Sequence, residues 1–331
     1  AEYRFRSGAT GDFTSLQPAH AVSQNRDACA DIEYNFVFVG FSYPANVGSA
    51  NNIQINSVTL TRLRSHPKRA EHYSMLAVIS PAKRLDFNAP WSTARQTLPD
   101  FAEESQQLIE VLRNKSPADI AGLMKLSNSL ADLNYQRYAD WDPEFTRNNA
   151  KPAALAFRGD VYLGLDADTL SNHDLAWAQK HLRILSGLHG LLRPLDLIQP
   201  YRLEMGTALK TDQGKDLYAF WGDKITQALN CALQQQKQPV LVNLASNEYF
   251  ASVCPEALDG RIITPTFKDL KNGKYKFLSF YAKRARGLMA RHIIDNRVST
   301  LKGLREFSSE GYYFSESQSR GDNWVFLRDK P

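Results

Sequence analysis

NGKYKFLSFYAKRARGLMARHIIDNR, residues 272–297, is the stretch on which the reading of this chain turns. It lies within residues 261–305, where twelve Lys and Arg face two acids, Asp269 and Asp295. That local excess of ten positive charges is larger than the net +5 of all 331 residues, so the remainder of the chain is net acidic. Clustered cations are stabilised by a dense anion through Coulomb attraction and counterion release, and so point to a polyanionic partner. Wound at about 100° per residue, Lys283, Arg284, Arg286, Arg291 and Arg297 share an arc of about 160°, with Tyr281, Ala285, Leu288, Met289 and His292 opposite. One face would pack and the other would meet phosphate. Asn272-Gly273, between residues 267–271 and 274–280, is the two-residue signal for a type I′ hairpin with Lys271, Lys274 and Lys276 at its tip and outward side. A solvated basic face is the alternative, but such surfaces mix signs, whereas here Arg predominates on the helix with almost no acid between.

Hydrophobic residues make up 43% of the chain and aromatics 11%. That is enough for a substantial core in one large or two ordinary domains, and it excludes wholesale disorder. Cys29, Cys231 and Cys254 form neither a metal-ligand spacing nor an even disulfide set, which suits a reducing cytoplasm. No apolar run approaches a membrane span and no secretion signal is evident, so a soluble cytoplasmic protein with no membrane partner is expected. Residues 1–74 differ in character: they lack an initiating Met and a clear periodicity, and scatter Gly, Ser, Asn and Thr throughout. We expect a non-native or disordered leader upstream of a natural start at Met75, a genuine flexible extension being the alternative.

From Met75 the pattern strengthens. Residues 75–80, 153–157 and 239–244 read as short buried strands, 307–314 and 324–327 as closing strands, and 100–114, 117–141, 174–185 and 216–235 as helices. The first strand delivers Lys83 and Arg84 into a loop, as open α/β sheets deliver ligand contacts at carboxyl ends. Asp160, after the second strand, reads as a turn former, or else as a metal ligand or general base. In the stretch from Ser186 to Pro194, Gly187 and Gly190 bracket an apolar turn that could offer backbone amides to phosphate. It looks like a helix-hairpin-helix element, with two residues between the glycines where that motif has one; a glycine-terminated helix leading to a loop is the alternative. His189 reads as a turn residue or phosphate contact. Ser246, with Glu248 nearby, reads as a helix cap. There is no phosphate-cradling loop or dinucleotide fingerprint, and the histidines and cysteines form no ligand set. No cofactor and no metal are expected.

Six blocks carry a likeness: ISPAKRLDF (79–87), AFRGDVYLGL (156–165), LRILSGLHGLLRPLDLIQPYRLEMG (182–206), LYAFWGD (217–223), NLASNEYF (243–250) and KNGKYKFLSFYAKRARGLMARHII (271–294). In that order they resemble the YaaA family of peroxide-stress-resistance proteins, over residues 75–331. Arg84 and His189 stand where that family often has Thr and Tyr. The resemblance implies a bacterial cytoplasmic protein with one compact α/β domain, a mixed β-sheet flanked by helices in an unusual topology. It also implies a helix-hairpin-helix-like element and a basic cleft, binding of duplex, bubble or branched DNA, DNA repair proteins as candidate partners, and a role in surviving hydrogen peroxide by limiting free iron and DNA damage.

The function expected is therefore largely sequence-independent DNA binding. Lys283, Arg284, Arg286 and Arg291 would neutralise phosphates, Gly187 and Gly190 would donate amides, and Lys83, Arg158 and Arg193 would line the same cleft, with Lys274 and Lys276 at the hairpin. The alternative is a metal-dependent nuclease or other phosphoryl-handling enzyme built on Lys83, Asp160 and Glu204, with Asp86 and Glu248 nearby. No catalytic residue is assigned.

Overall fold

Leu76–Ile79 is four consecutive apolar residues, all buried, the pattern of a strand covered on both faces. In the computed structural model, which describes residues 75–234 and 239–330, this strand, β1, lies inside an eight-stranded sheet. The expected leader lies outside the described residues. The other strands are β2 (Leu182–Ser186), β3 (Gly190–Leu192), β4 (Val240–Leu244), β5 (Arg261–Lys271), β6 (Lys274–Lys276), β7 (Tyr313–Arg320) and β8 (Asn323–Arg328). Their order is β7-β8-β5-β4-β1-β2-β3, with β6 paired to β5. β1 runs parallel to β2 on one side and to β4 on the other, and β4, β5 and β8 continue in parallel. Three antiparallel hairpins, β2-β3, β5-β6 and β7-β8, make the sheet mixed. The expected α/β class is what is found.

Helices flank the sheet: α1 (Ala102–Arg113), α2 (Pro117–Met124), α3 (Asp160–Leu165), α4 (Asn172–His181), α5 (Lys224–Leu233) and α6 (Ser279–Asp295). Ser116 caps α2, with Pro117 in its first turn, through a capping box closed by Asp119. The β5-β6 turn is the type I′ turn that Asn-Gly predicts, with φ of 54° at Asn272 and 70° at Gly273.

Several expected elements differ. Residues 153–156 form one helical turn, because consecutive alanines favour helix over strand, and only Phe157–Arg158 extends, pairing with Arg84–Leu85. The helix expected over 117–141 breaks at Lys125, where φ is 52°, and the one over 216–235 breaks at Gly222, where φ is 50°. Residues 315–320 are strand, not turn, and the chain reverses at Gly321.

The helix-hairpin-helix reading is corrected here. The α4 helix stops at His181, β2 begins at once, and Ser186 pairs with Gly190 across a β-hairpin whose residues 186–192 are all buried. A Cβ on Gly187 would stand 2.3 Å from the Leu203 carbonyl oxygen, and one on Gly190 2.7 Å from the Trp221 ring. These glycines therefore admit neighbouring protein rather than phosphate. The His189 amide donates to Ser186 Oγ at 3.0 Å and the Trp221 indole donates to Gly187 O at 3.0 Å. His189 itself is buried, and burial pushes its imidazole down to about 3, so it is neutral.

Candidate anion-binding cleft

β1 and β4 are neighbours whose connections leave in opposite directions, β1 toward β2 and β4 toward β5. In open α/β sheets a crevice opens outside the carboxyl ends of such a pair. A cleft of about 430 Å³ lies there. Ser80 follows β1 and Ser246 follows β4, and the two ends are tied together: Ser246 N donates to Ser80 Oγ at 2.9 Å and Ser80 Oγ to Ser246 Oγ at 3.3 Å. Tyr162, Tyr201 and Tyr249 complete the lining, and burial raises the pKa of each phenol, so all three remain protonated.

Lys83, Arg84, Arg158, Arg202, Lys283 and Arg286 line this cleft against Asp160, Glu204 and Glu248, an excess of three positive charges. The cations differ in how far they are already engaged. Lys83 and Arg202 each reach Glu204 Oε1 at 3.0 Å, and Arg158 reaches Asp168 at 3.0 Å and Asp86 at 3.5 Å. Burial pushes the Glu204 carboxyl up, but the hydrogen bonds and charges of Lys83 and Arg202 outweigh it and hold the group below its ordinary value. Its Oε2 is buried without a partner. By contrast the side chains of Arg84, Lys283 and Arg286 have no hydrogen bond or ion pair among the described residues. Partial burial lowers the pKa of Arg286, which has no hydrogen bond or ion pair among the described residues.

Two glycines bring α6 to this place. Gly287 on α6 and Gly164 on α3 face each other so closely that a Cβ on Gly287 would stand 1.8 Å from Val161 O, and one on Gly164 2.2 Å from Arg284 O. This crossing sets Asp160 and Tyr162 of α3 beside Lys283 and Arg286 of α6. It also occupies part of the arc expected to face phosphate.

Accordingly the expected contacts separate. Lys83, Arg158, Lys283 and Arg286 come together in the cleft. Arg284 pairs with Glu310 at 2.6 Å, and Arg291 pairs with Asp295 at 2.8 Å and donates to Asp166 O at 2.8 Å. Arg193 is held by Asp100 at 2.8 Å, Asp196 at 3.0 Å and Leu98 O at 2.8 Å, outside the cleft lining. Gly187 and Gly190 are buried in the β2-β3 turn. Lys274 and Lys276 are exposed on β6. Asp160, Glu204 and Glu248 do share the cleft, but among the described residues no three such side chains are grouped closely enough to hold a metal ion. Arg202, Ser80 and Ser246 were not singled out as contacts; the rule that ligands gather at strand carboxyl ends was the available signal. None of the described helices is long and apolar enough to cross a membrane.

Comparison with known proteins places this architecture. The family described as "Peroxide stress protein YaaA" matches residues 75–318. A UPF0246 protein of Ralstonia pickettii (strain 12J) is 59% identical over 254 residues, covering 77% of this chain and 99% of that protein. UPF0246 proteins of Shewanella baltica are similar: that of strain OS195 is 58% identical over 254 residues, 77% of this chain and 99% of its own length. That of strain OS223 is 57% identical over 256 residues, 77% of this chain and all of its own length. Matched across more than half its length, and at nearly 60% identity to relatives covered almost end to end, the chain belongs to the YaaA family of peroxide stress proteins.

Proposed function

We propose that the protein binds the phosphate backbone of DNA at the cleft between β1 and β4, largely without regard to sequence, and so protects DNA during peroxide stress. Arg286 carries the reading. A half-buried guanidinium at the cleft wall with no carboxylate or carbonyl partner among the described residues is left to be met by an anion. Lys283, one turn away on the same helix, and Arg84 at the same cleft also lack partners. Phosphate contacts position a protein without reading bases, which accounts for the lack of sequence preference. A cleft of about 430 Å³ has room for the sugar and phosphates of one strand.

Fluorescence anisotropy with the full chain at two salt concentrations tests this. Lys283→Ala and Arg286→Ala should each weaken binding to all sequences alike and reduce the log–log salt slope by about 1. Unchanged affinity and slope in both variants would remove the cleft as the contact surface. Supercoiled DNA incubated with Mg²⁺ or Mn²⁺ serves as the cleavage control, and cleavage lost in Asp160→Asn would favour a nuclease instead.

A further inference from the structure

Phe277, in the short link from β6 into α6, and Phe280, in the first turn of α6, are 52% and 59% exposed. They stand in the run KYKFLSFYAK, residues 274–283, which contains no acid. Lys274, Lys276 and Lys283 are exposed, and none has an ion pair among the described residues. Phe280 is not a loose side chain. Its ring meets Tyr281 edge-on at 5.6 Å, and the buried Arg328 guanidinium lies 4.7 Å over the Tyr281 ring. Asp269 in turn holds Arg328 at 2.6 Å. Phe280 precedes Lys283 by three residues, about 4.5 Å along the helix axis, and Lys283 lines the cleft.

We propose that Phe277 and Phe280 form an aromatic platform on which unpaired bases of distorted DNA stack while Lys283 and Arg286 hold the adjoining phosphates. The inference rests on the DNA-binding reading and adds to it what is recognised: bases that have left the duplex stack. An apolar ring costs free energy when left in water, and every base offers a face to cover it regardless of sequence. Lysines around the rings hold the backbone of the same strand. Lysine and phenylalanine together would also suit an anionic lipid surface. The concave continuation at Arg286 favours a strand, because an extended chain can enter a recess that a flat bilayer cannot.

The test uses the full chain and three oligonucleotides at fixed salt: a matched duplex, the same duplex with a central bubble, and one single strand. Wild type should bind the bubble and single strand more tightly than the matched duplex. Phe277→Ala/Phe280→Ala should lose about tenfold in affinity for the bubble while the salt slope stays the same, since no cation is removed. Phe280→Tyr should retain stacking, whereas Phe280→Leu, apolar but not planar, should lose most of what alanine loses. Both side chains are exposed, and circular dichroism should show every variant folded. Equal affinity of wild type and the double alanine variant for the bubble, with DNA binding otherwise intact, would overturn the platform and leave the backbone reading standing. Wild type that binds no DNA would overturn both. Loss confined to binding of vesicles containing anionic phospholipid would assign the surface to membrane and overturn the proposal.

Discussion

Gly287→Ala should destabilise the protein even though alanine is the better helix former. In an open helix position this change gains up to about 1 kcal/mol. At the α3–α6 crossing the new Cβ would stand 1.8 Å from Val161 O and 2.8 Å from Leu165 N. A carbon–oxygen contact needs about 3.3 Å, so the helices would have to part by about 1.5 Å. The obstacle is backbone, which cannot rotate away as a side chain does. Overpacking of this kind costs about 1–3 kcal/mol, and the upper end less the propensity gain leaves a net loss of about 2 kcal/mol. Gly122→Ala in α2 is the control, because nothing lies within 4 Å of its Cβ and the same chemical change should stabilise. Urea unfolding followed by circular dichroism gives both values, with the m-value as a check on the reference state. DNA binding by Gly287→Ala should also weaken, since Lys283 and Arg286 move with α6. Equal stability of the two variants would mean that α3 and α6 do not interlock at Gly287.

Asp269→Ala should cost about 3 kcal/mol, because it leaves the buried Arg328 guanidinium with only the longer Glu310 pair at 3.3 Å; a loss under about 1 kcal/mol in urea unfolding would refute this. Stability should also fall in weak acid. Burial holds the imidazoles of His181 and His189 at about 4 and about 3, below the ordinary 6.5, so each contributes stability above pH 6.5 that is lost as protons bind the unfolded chain first. From pH 7 to 5.5 the two together should lose about 2.5 kcal/mol, and a flat profile over that interval would contradict their neutral burial. Arg284→Glu and Arg291→Glu should weaken DNA binding less than Arg286→Glu does at matched salt, because carboxylates already engage both groups. Equal losses would show that pairing does not sort the contacts.

How much of this was legible depended on the range of the interaction. β1, β4, α1 and the β5-β6 turn rest on neighbours within a few residues, and they stand where the sequence puts them. Gly187 and Gly190 misled because a glycine admits any close approach, and nothing local distinguishes a phosphate from the Leu203 carbonyl or the Trp221 ring. Gly287 was overlooked for the same reason, since its meaning comes from Val161 some 126 positions earlier in the chain. Arg202 could be placed beside Lys83 only once Glu204 was seen to hold both.

The excess of ten charges over residues 261–305 shows how that range limits electrostatic reading. Arg261, Arg284, Arg297 and Lys302 pair with Asp322, Glu310, Asp174 and Glu306, all supplied by the acidic remainder of the chain. Arg291 is met by Asp295 within the stretch and by Asp166 outside it. Surface pairs of this kind add little stability, but they cancel one another's field beyond about 8 Å at physiological salt. Within the stretch an approaching phosphate is therefore drawn by the cations without a carboxylate partner among the described residues: Lys268, which donates to Gln318, Arg305, which lies over the Phe314 and Trp324 rings, and Lys271, Lys274, Lys276, Lys283 and Arg286 around the two exposed phenylalanines. A basic stretch scattered by folding would have left unpaired cations at random along its length. Here five of the seven fall between positions 271 and 286, ending in the cleft, which is the order required if one strand is to pass from the hairpin to Arg286.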